Sequence, residues 1–320
     1  MRLGHTLPRS ARSTLSRFAV GDRAFKWLTL LMAVSVFVLI VLIGYELASG
    51  AQATLRKFGW RFLTGTDWDP VNEQFGALPF IFGTLVSSAL ALALAVPLSI
   101  ATAVYLTEWA PPSLSRVLAF FIELLAAVPS VILGLWGASV MVPWLRTCLF
   151  PALRATLGFL PLFQGPIYGV GMLAAGIILA IMIVPIITTV SREILRSVPG
   201  LQREAAYALG ATRWEVTRIA VLSYAKKGLL GAVILGLGRA LGETMAVTML
   251  IGNGLGISAS LFAPAYTLTS VVANEFTETP PGVHLSALFE IGLVLLGITL
   301  LVNALARLLL RASLTLAPAQ

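Results

Sequence analysis

Six apolar stretches dominate this chain, at roughly 26–47, 80–106, 117–141, 168–190, 228–251 and 284–306. A helix of about 20 apolar residues matches the hydrocarbon thickness of a bilayer. Inside that layer backbone N–H and C=O groups find no water, so each stretch must satisfy its own hydrogen bonds as a helix, with polar connections outside. No alternation of the kind a membrane barrel needs is visible. The expected fold class is therefore an all-α integral membrane protein with six transmembrane helices. Composition agrees: only 11% of the residues are charged, against about 25% in soluble domains. The single cysteine, Cys148, excludes a disulfide framework or a Cys-based cluster. His5 and His284 lie far apart, which gives neither a metal site nor a His-centred catalytic set, and no cofactor is expected.

Orientation follows from Lys and Arg, which accumulate on the cytosolic side. With the N-terminus inside, the segments 1–26, 108–116, 191–227 and 307–320 hold sixteen Lys/Arg, the three outside loops hold five, and Arg239 alone lies within a span. Both termini are thus expected in the cytosol, and most of the +8 net charge is a topology signal rather than a nucleic-acid footprint. Contact with anionic lipid is a secondary use of the same charge. The apolar run after Lys26 exceeds the 7–15 residues of a signal peptide, so it reads as a retained first span. The organisation is a basic tail 1–25, a first helix 26–47, an outside loop 48–79, a core 80–310 and a cytosolic tail 311–320. Trp60 and Trp109 read as interfacial residues. The last outside loop, small and polar from Gly252 to Gly282, is expected to fold partly back towards the membrane.

The longest cytosolic connection, 191–227, holds two helical stretches separated by breakers. Pro199-Gly200 ends what precedes it. Leu201–Leu209 can form a helix with Glu204 in its first turn, and Gly210 can supply a left-handed stop. Thr212 with Glu215 three residues on makes a capping box for a second helix reaching about Leu222. Ala205, Ala206 and Gly210 permit close approach of a partner, to which Glu204 offers a charge. An ordinary amphipathic connector would read the same way. The segment Glu204-Ala205-Ala206, three residues, then Gly210 resembles the loop by which bacterial ABC importer permeases contact their ATPase. The continuation of that pattern keeps Leu222 but departs at Ala220 and Ser223.

Span five carries Arg239 and Glu243. An arginine at membrane depth costs from about 2.5 to more than 10 kcal/mol unless it meets protein, water or a counter-charge. The i,i+4 spacing puts the two on one helix face, able to pair. Gly238 and Gly242 form a small-xxx-small ridge that would let another helix approach. The pair either locks span five to a neighbour or lines a conduction path for an anion, since guanidinium suits bidentate oxyanion contact. Glu123 and Glu290 are two further carboxylates at membrane depth.

Over residues 60–310 the chain resembles the permease subunits of bacterial phosphate ABC importers. The resemblance rests on Phe75–Ile81, Glu123–Ser130, Gly134–Gly137, the Glu204–Gly210 loop, Arg239–Val247, Asn274–Phe276 and His284–Leu288. It implies the type I ABC importer permease (MetI-like) fold in the bacterial inner membrane. It also implies that Arg239 and Glu243 line the phosphate path, and that Glu204, Ala205, Ala206 and Gly210 dock the ATPase. The implied partners are a homologous second permease (PstA-like), two ATPase subunits (PstB-like) and a periplasmic phosphate-binding protein (PstS-like). No G-x-x-x-x-G-K-[ST] phosphate loop occurs in the chain, so ATP hydrolysis is expected in a partner subunit. A permease for molybdate or sulfate would share these features. A channel or secondary transporter working without an ATPase would leave the 204–210 loop without a use.

Overall fold

The computed structural model describes residues 9–315, and the tail positions 1–8 and 316–320 lie outside the described residues. Among the described residues, six helices are long and apolar enough to cross a membrane. The first belongs to α1 (Arg9–Gly50), a unit by itself, apolar and exposed from Phe25 onward. The second unit, Ala51–Gln320, holds the other five crossings. They are α4 (Leu78–Trp109), α6 (Ser130–Leu157), α7 (Met172–Arg196), α9 (Arg213–Leu241) and α12 (Val283–Thr315). Between them lie the short α2 (Gln52–Phe58) and α3 (Arg61–Thr64), α5 (Pro112–Ala126), α8 (Gly200–Ala208), α10 (Met245–Leu250) and α11 (Leu268–Glu275). A two-residue hairpin pairs Trp68 with Phe75 and Asp69 with Gln74.

Helix α7 is the hub of this unit. In its apolar window 67% of residues are buried, against 28% for each of the other four crossings of the unit. Its Ala175, Leu179, Ile183 and Ile187 meet Ala91 and Ala95 of α4 and Ala232 of α9. Lipid tails are as apolar as these side chains, so close packing rather than hydrophobic transfer holds the helices together. Glycines set the distance: a Cβ on Gly236 would fall 2.6 Å from Ile187, and one on Gly228 2.6 Å from Ile194.

Three sequence boundaries are corrected. The stretch 117–141 is not one helix, because Pro129 has no N–H and disfavours helical backbone at Val128. The chain breaks after Ala126, restarts at Ser130 and runs on to Leu157. The two pieces still run alongside α7: Glu123 meets Arg192, and Gly137, fourteen residues later, abuts Ile178, fourteen residues earlier in α7. The fourth span starts at Met172, not 168. Gly171, with φ 152°, turns the chain where a Cβ would sit 2.6 Å from the Phe262 carbonyl. The fifth span, expected from 228 to 251, starts earlier and is interrupted. The helix capped by Thr212 and Glu215 continues as α9 through Leu222, where a separate helix was expected to end, and stops at Leu241.

The loop Gly252–Gly282, expected outside, folds back onto the start of α7. The N–H groups of Gly171, Met172 and Leu173, orphans at the start of α7, donate to the carbonyls of Leu250, Ala263 and Leu261 at 2.9, 3.1 and 2.8 Å. Phe262 is fully buried and stacks on Phe150. On the same face Trp68 Nε1 donates to Glu275 Oε2 at 3.0 Å, and His284 Nε2 lies 2.9 Å from the same oxygen. The hairpin is thereby pinned to α11 and to the start of α12.

Candidate functional site

Helix α9 ends at Leu241, and Gly242-Glu243-Thr244 form a short irregular link before α10. Non-helical backbone at membrane depth survives only where protein or a cavity surrounds it. Here Glu243 fills that role: its Oε1 accepts from Ala246 N–H at 3.4 Å, and its carbonyl accepts from Thr269 Oγ1 at 2.8 Å. Arg239 sits in the last turn of α9, where a cation suits the negative end of the helix dipole. The expected pair forms, with Arg239 Nη2 3.2 Å from Glu243 Oε2. The two side chains differ sharply in exposure, 47% for Arg239 and 5% for Glu243. One side of the guanidinium is therefore neutralised while the other remains open.

The open side borders a cavity of about 600 Å³, lined by Gly231, Leu235, Gly238, Arg239, Asn303 and Arg307 among others. The glycine ridge is not used for helix packing within this chain. Nothing lies within 4 Å of a Cβ built on Gly238, and a Cβ on Gly242 meets only the carbonyl of Gly238, one turn back in its own helix. Gly238 instead widens the cavity beside Arg239. Asn303 and Arg307 escaped the sequence reading, since Arg307 was counted only as a positive charge of the cytosolic segment 307–320. Their i,i+4 spacing on an otherwise apolar helix was the available signal. Neither Glu123 nor Glu290 lines this cavity: Glu123 pairs with Arg192 at 3.3 Å, and Glu290 is buried beside Leu55, Trp60 and Leu293.

At the other candidate segment, α8 starts at Gly200, directly after the extended Pro199, which places Glu204 in its second turn rather than its first. Gly210 has φ 80°, and the helix closes in a Schellman arrangement: Ala211 N–H donates to Ala206 C=O at 3.2 Å and Gly210 N–H to Tyr207 C=O at 2.9 Å. A Cβ on Gly210 meets nothing within 4 Å, so its backbone conformation, not close contact within the chain, demands glycine. Glu204 and Ala205 are exposed, Ala206 half-buried. Leu201, Tyr207, Leu209, Trp214 and Ile219 stand exposed around them, an apolar surface that the short motif did not reveal.

What anchors α8 is Arg203, also missed in the sequence. Its guanidinium donates to Glu108 Oε1 at 2.9 Å and Oε2 at 3.4 Å, and to the carbonyls of Leu195 and Val198 at 2.9 and 2.6 Å. One side chain thus bonds two carbonyls at and just beyond the C-terminal end of α7 and clamps the π turn that ends α4. Arg213, in the first turn of α9, donates to the Glu108 carbonyl and lies 5.0 Å from the Trp109 ring centroid. Trp109 is therefore part of this joint. Glu108 ties the ends of α4, α7 and α9 to α8.

The profile of the family described as "Binding-protein-dependent transport system inner membrane component" matches residues 95–313. The chain is 46% identical over 307 residues to the phosphate transport system permease protein PstC of Mesorhizobium japonicum, with 94% of each chain covered. It is 47% identical over 293 residues to the protein of the same name from Haemophilus influenzae, covering 90% of this chain and 93% of the relative. Among solved structures it resembles a chain of a bacterial alginate ABC transporter in complex with an alginate pentasaccharide-bound periplasmic protein. The TM-score is 0.60 at 16% identity, over 89% of this chain and 94% of that one. A chain of the MetNI methionine ABC transporter in inward-facing conformations gives 0.50 at 19%, over 74% and 94%. At such identities the two structures speak to the fold alone.

Proposed function

This chain belongs to the family of binding-protein-dependent transport system inner membrane components, within its phosphate transport (PstC) branch, and from that premise we propose how its residues carry phosphate and receive the work of ATP hydrolysis. It is a multi-pass inner-membrane permease subunit of a phosphate ABC importer, whose ATPase activity resides in a separate subunit. The Lys/Arg asymmetry supports cytosolic termini. In that orientation α8 lies on the cytosolic face and the hairpin of Trp68 and Phe75 faces the periplasm.

The observation that carries the site assignment is Arg239, half-exposed over a cavity at the interruption of span five. A guanidinium fork is weakly hydrated and matches two oxygens of a phosphate. Glu243 tempers the attraction, so that binding remains weak enough for release. Asn303 and Arg307 offer the next polar contacts in the same cavity. The open side of Arg239 faces a PstA-like second permease, which closes the path.

Of two PstB-like ATPases, one docks on the exposed surface around Glu204, Ala205, Ala206 and Gly210 and the other on the second permease, and a PstS-like binding protein delivers phosphate on the opposite face. When the ATPases close, they displace α8. The Arg203–Glu108 clamp passes that displacement to α4, α7 and α9, which share one packed core. Arg239 lies 26 residues along α9 from Arg213, roughly 39 Å at 1.5 Å per residue. The test is uptake by proteoliposomes holding this chain with its partner subunits. ATP-dependent accumulation of radiolabelled phosphate, uncompeted by molybdate or sulfate, is expected. Equal uptake of the other oxyanions, or uptake without the ATPase, would overturn the reading.

A further inference from the structure

A second basic pocket lies apart from the Arg239 cavity. It measures about 400 Å³ and is lined by Thr107, Pro112 and Ser115 together with Arg116, Arg192 and Arg196. Three guanidinium groups thus border one concavity, and no carboxylate lines it. Arg192 forms its floor and is only 9% exposed. It gives Nη1 to Glu123 at 3.3 Å, while its Nε is buried without a partner. A buried guanidinium with unspent donors is costly unless an acceptor completes it. Arg196 contacts Glu193 at 3.6 Å on the exposed side, and Arg116 has no ion pair among the described residues. The positive charge therefore exceeds its local compensation.

We propose that this pocket binds a phosphate group, supplied either by an anionic lipid headgroup or by free inorganic phosphate. Arg192 holds it from below, and Arg116 and Arg196 close on it from the rim. Two features support this chemistry. Arginine forks match phosphate oxygens geometrically, and basic pockets between membrane helices take lipid phosphates. The adjoining helix α5 exposes Val117, Leu118, Phe121 and Leu124, an apolar face beside the pocket on which acyl chains can lie. The pocket also shares the turn Leu106–Ala110 with Glu108, so an anion there braces the joint that holds α8. This is independent of the role given to Arg239.

The experiment uses the whole transporter in an Arg239→Gln background, chosen to weaken phosphate binding at the pathway. Discs of phosphatidylcholine alone, discs containing phosphatidylglycerol, and phosphatidylcholine discs with added inorganic phosphate are compared by thermal unfolding. A saturable rise of the midpoint is expected with phosphatidylglycerol if a headgroup is the ligand, or with inorganic phosphate if the free anion is. The double variant Arg116→Gln/Arg196→Gln, both exposed and remote from the core, should shift half-saturation about tenfold, as removal of two charge-assisted contacts implies. Two results overturn the proposal. One is the same response in both proteins to both probes. The other is loss of partner subunits from the double variant in phosphatidylcholine discs, which would assign these arginines to acidic side chains of a neighbour.

Discussion

Replacing Arg203 by alanine should loosen α8 while leaving the membrane core folded. The side chain makes two bonds to Glu108 and two to helix-end carbonyls. Its removal leaves a carboxylate that is only 11% exposed without its counter-charge. Breaking a buried ion pair from one side costs about 3–5 kcal/mol. Arg203 itself is 23% exposed, so water recovers part of that, and about 2–3 kcal/mol is the expected cost. At 1.4 kcal/mol per factor of ten, the docked helix loses about 30- to 140-fold in its equilibrium against the detached one. Amide hydrogen exchange across Glu204–Leu209 reads this directly, and protection should fall by that factor or to the unprotected rate. Amides within α7 near Ile183 should hardly change. ATP hydrolysis should persist while phosphate uptake falls, because the ATPase then pushes a helix no longer fastened to α4 and α7. Glu108→Gln should reproduce part of the effect. Unchanged exchange in Arg203→Ala would refute the clamp.

Three further outcomes follow from the geometry. Gly210→Ala forces a side chain into a left-handed conformation at about 1–2 kcal/mol and should lower ATPase co-purification, with Gly210→Asn milder; equal recovery in all three proteins would count against the Schellman stop. Gly236→Leu pushes a branched side chain into Ile187, an overpacking that typically costs about 1–3 kcal/mol, and should reduce monodisperse protein on gel filtration. The added change Ile187→Ala should restore it, and failure to do so would place the defect elsewhere. Arg307→Gln should raise the phosphate concentration needed for half-maximal uptake without changing assembly, and an unaltered uptake curve would remove Arg307 from the path.

Much of this was legible in the sequence because hydropathy and capping are local signals. The crossings at 26–47, 80–106 and 284–306 needed only length and apolarity. Thr212 with Glu215, Gly210 and the Arg239–Glu243 spacing each announced a local geometry that the structure contains. The break in span five was hidden because Met245–Leu250 is as apolar as the helix before it, so hydropathy runs straight through Gly242-Glu243-Thr244. The break at Pro129 was hidden in the same way, by apolar residues on both sides. Arg203 and Glu108 lie 95 positions apart, and no local pattern pairs them. Asn303 and Arg307 line the cavity only because α9 passes nearby.

The most direct test of the central claim is phosphate uptake by Arg239→Gln in proteoliposomes with all partner subunits present. The variant removes the charge and the fork but keeps a polar, shorter side chain. Abolished uptake is expected, with the complex intact on gel filtration and ATP hydrolysis still measurable. Uptake at the wild-type rate would contradict the account, because phosphate would then pass without the guanidinium that opens onto the cavity at the break of span five.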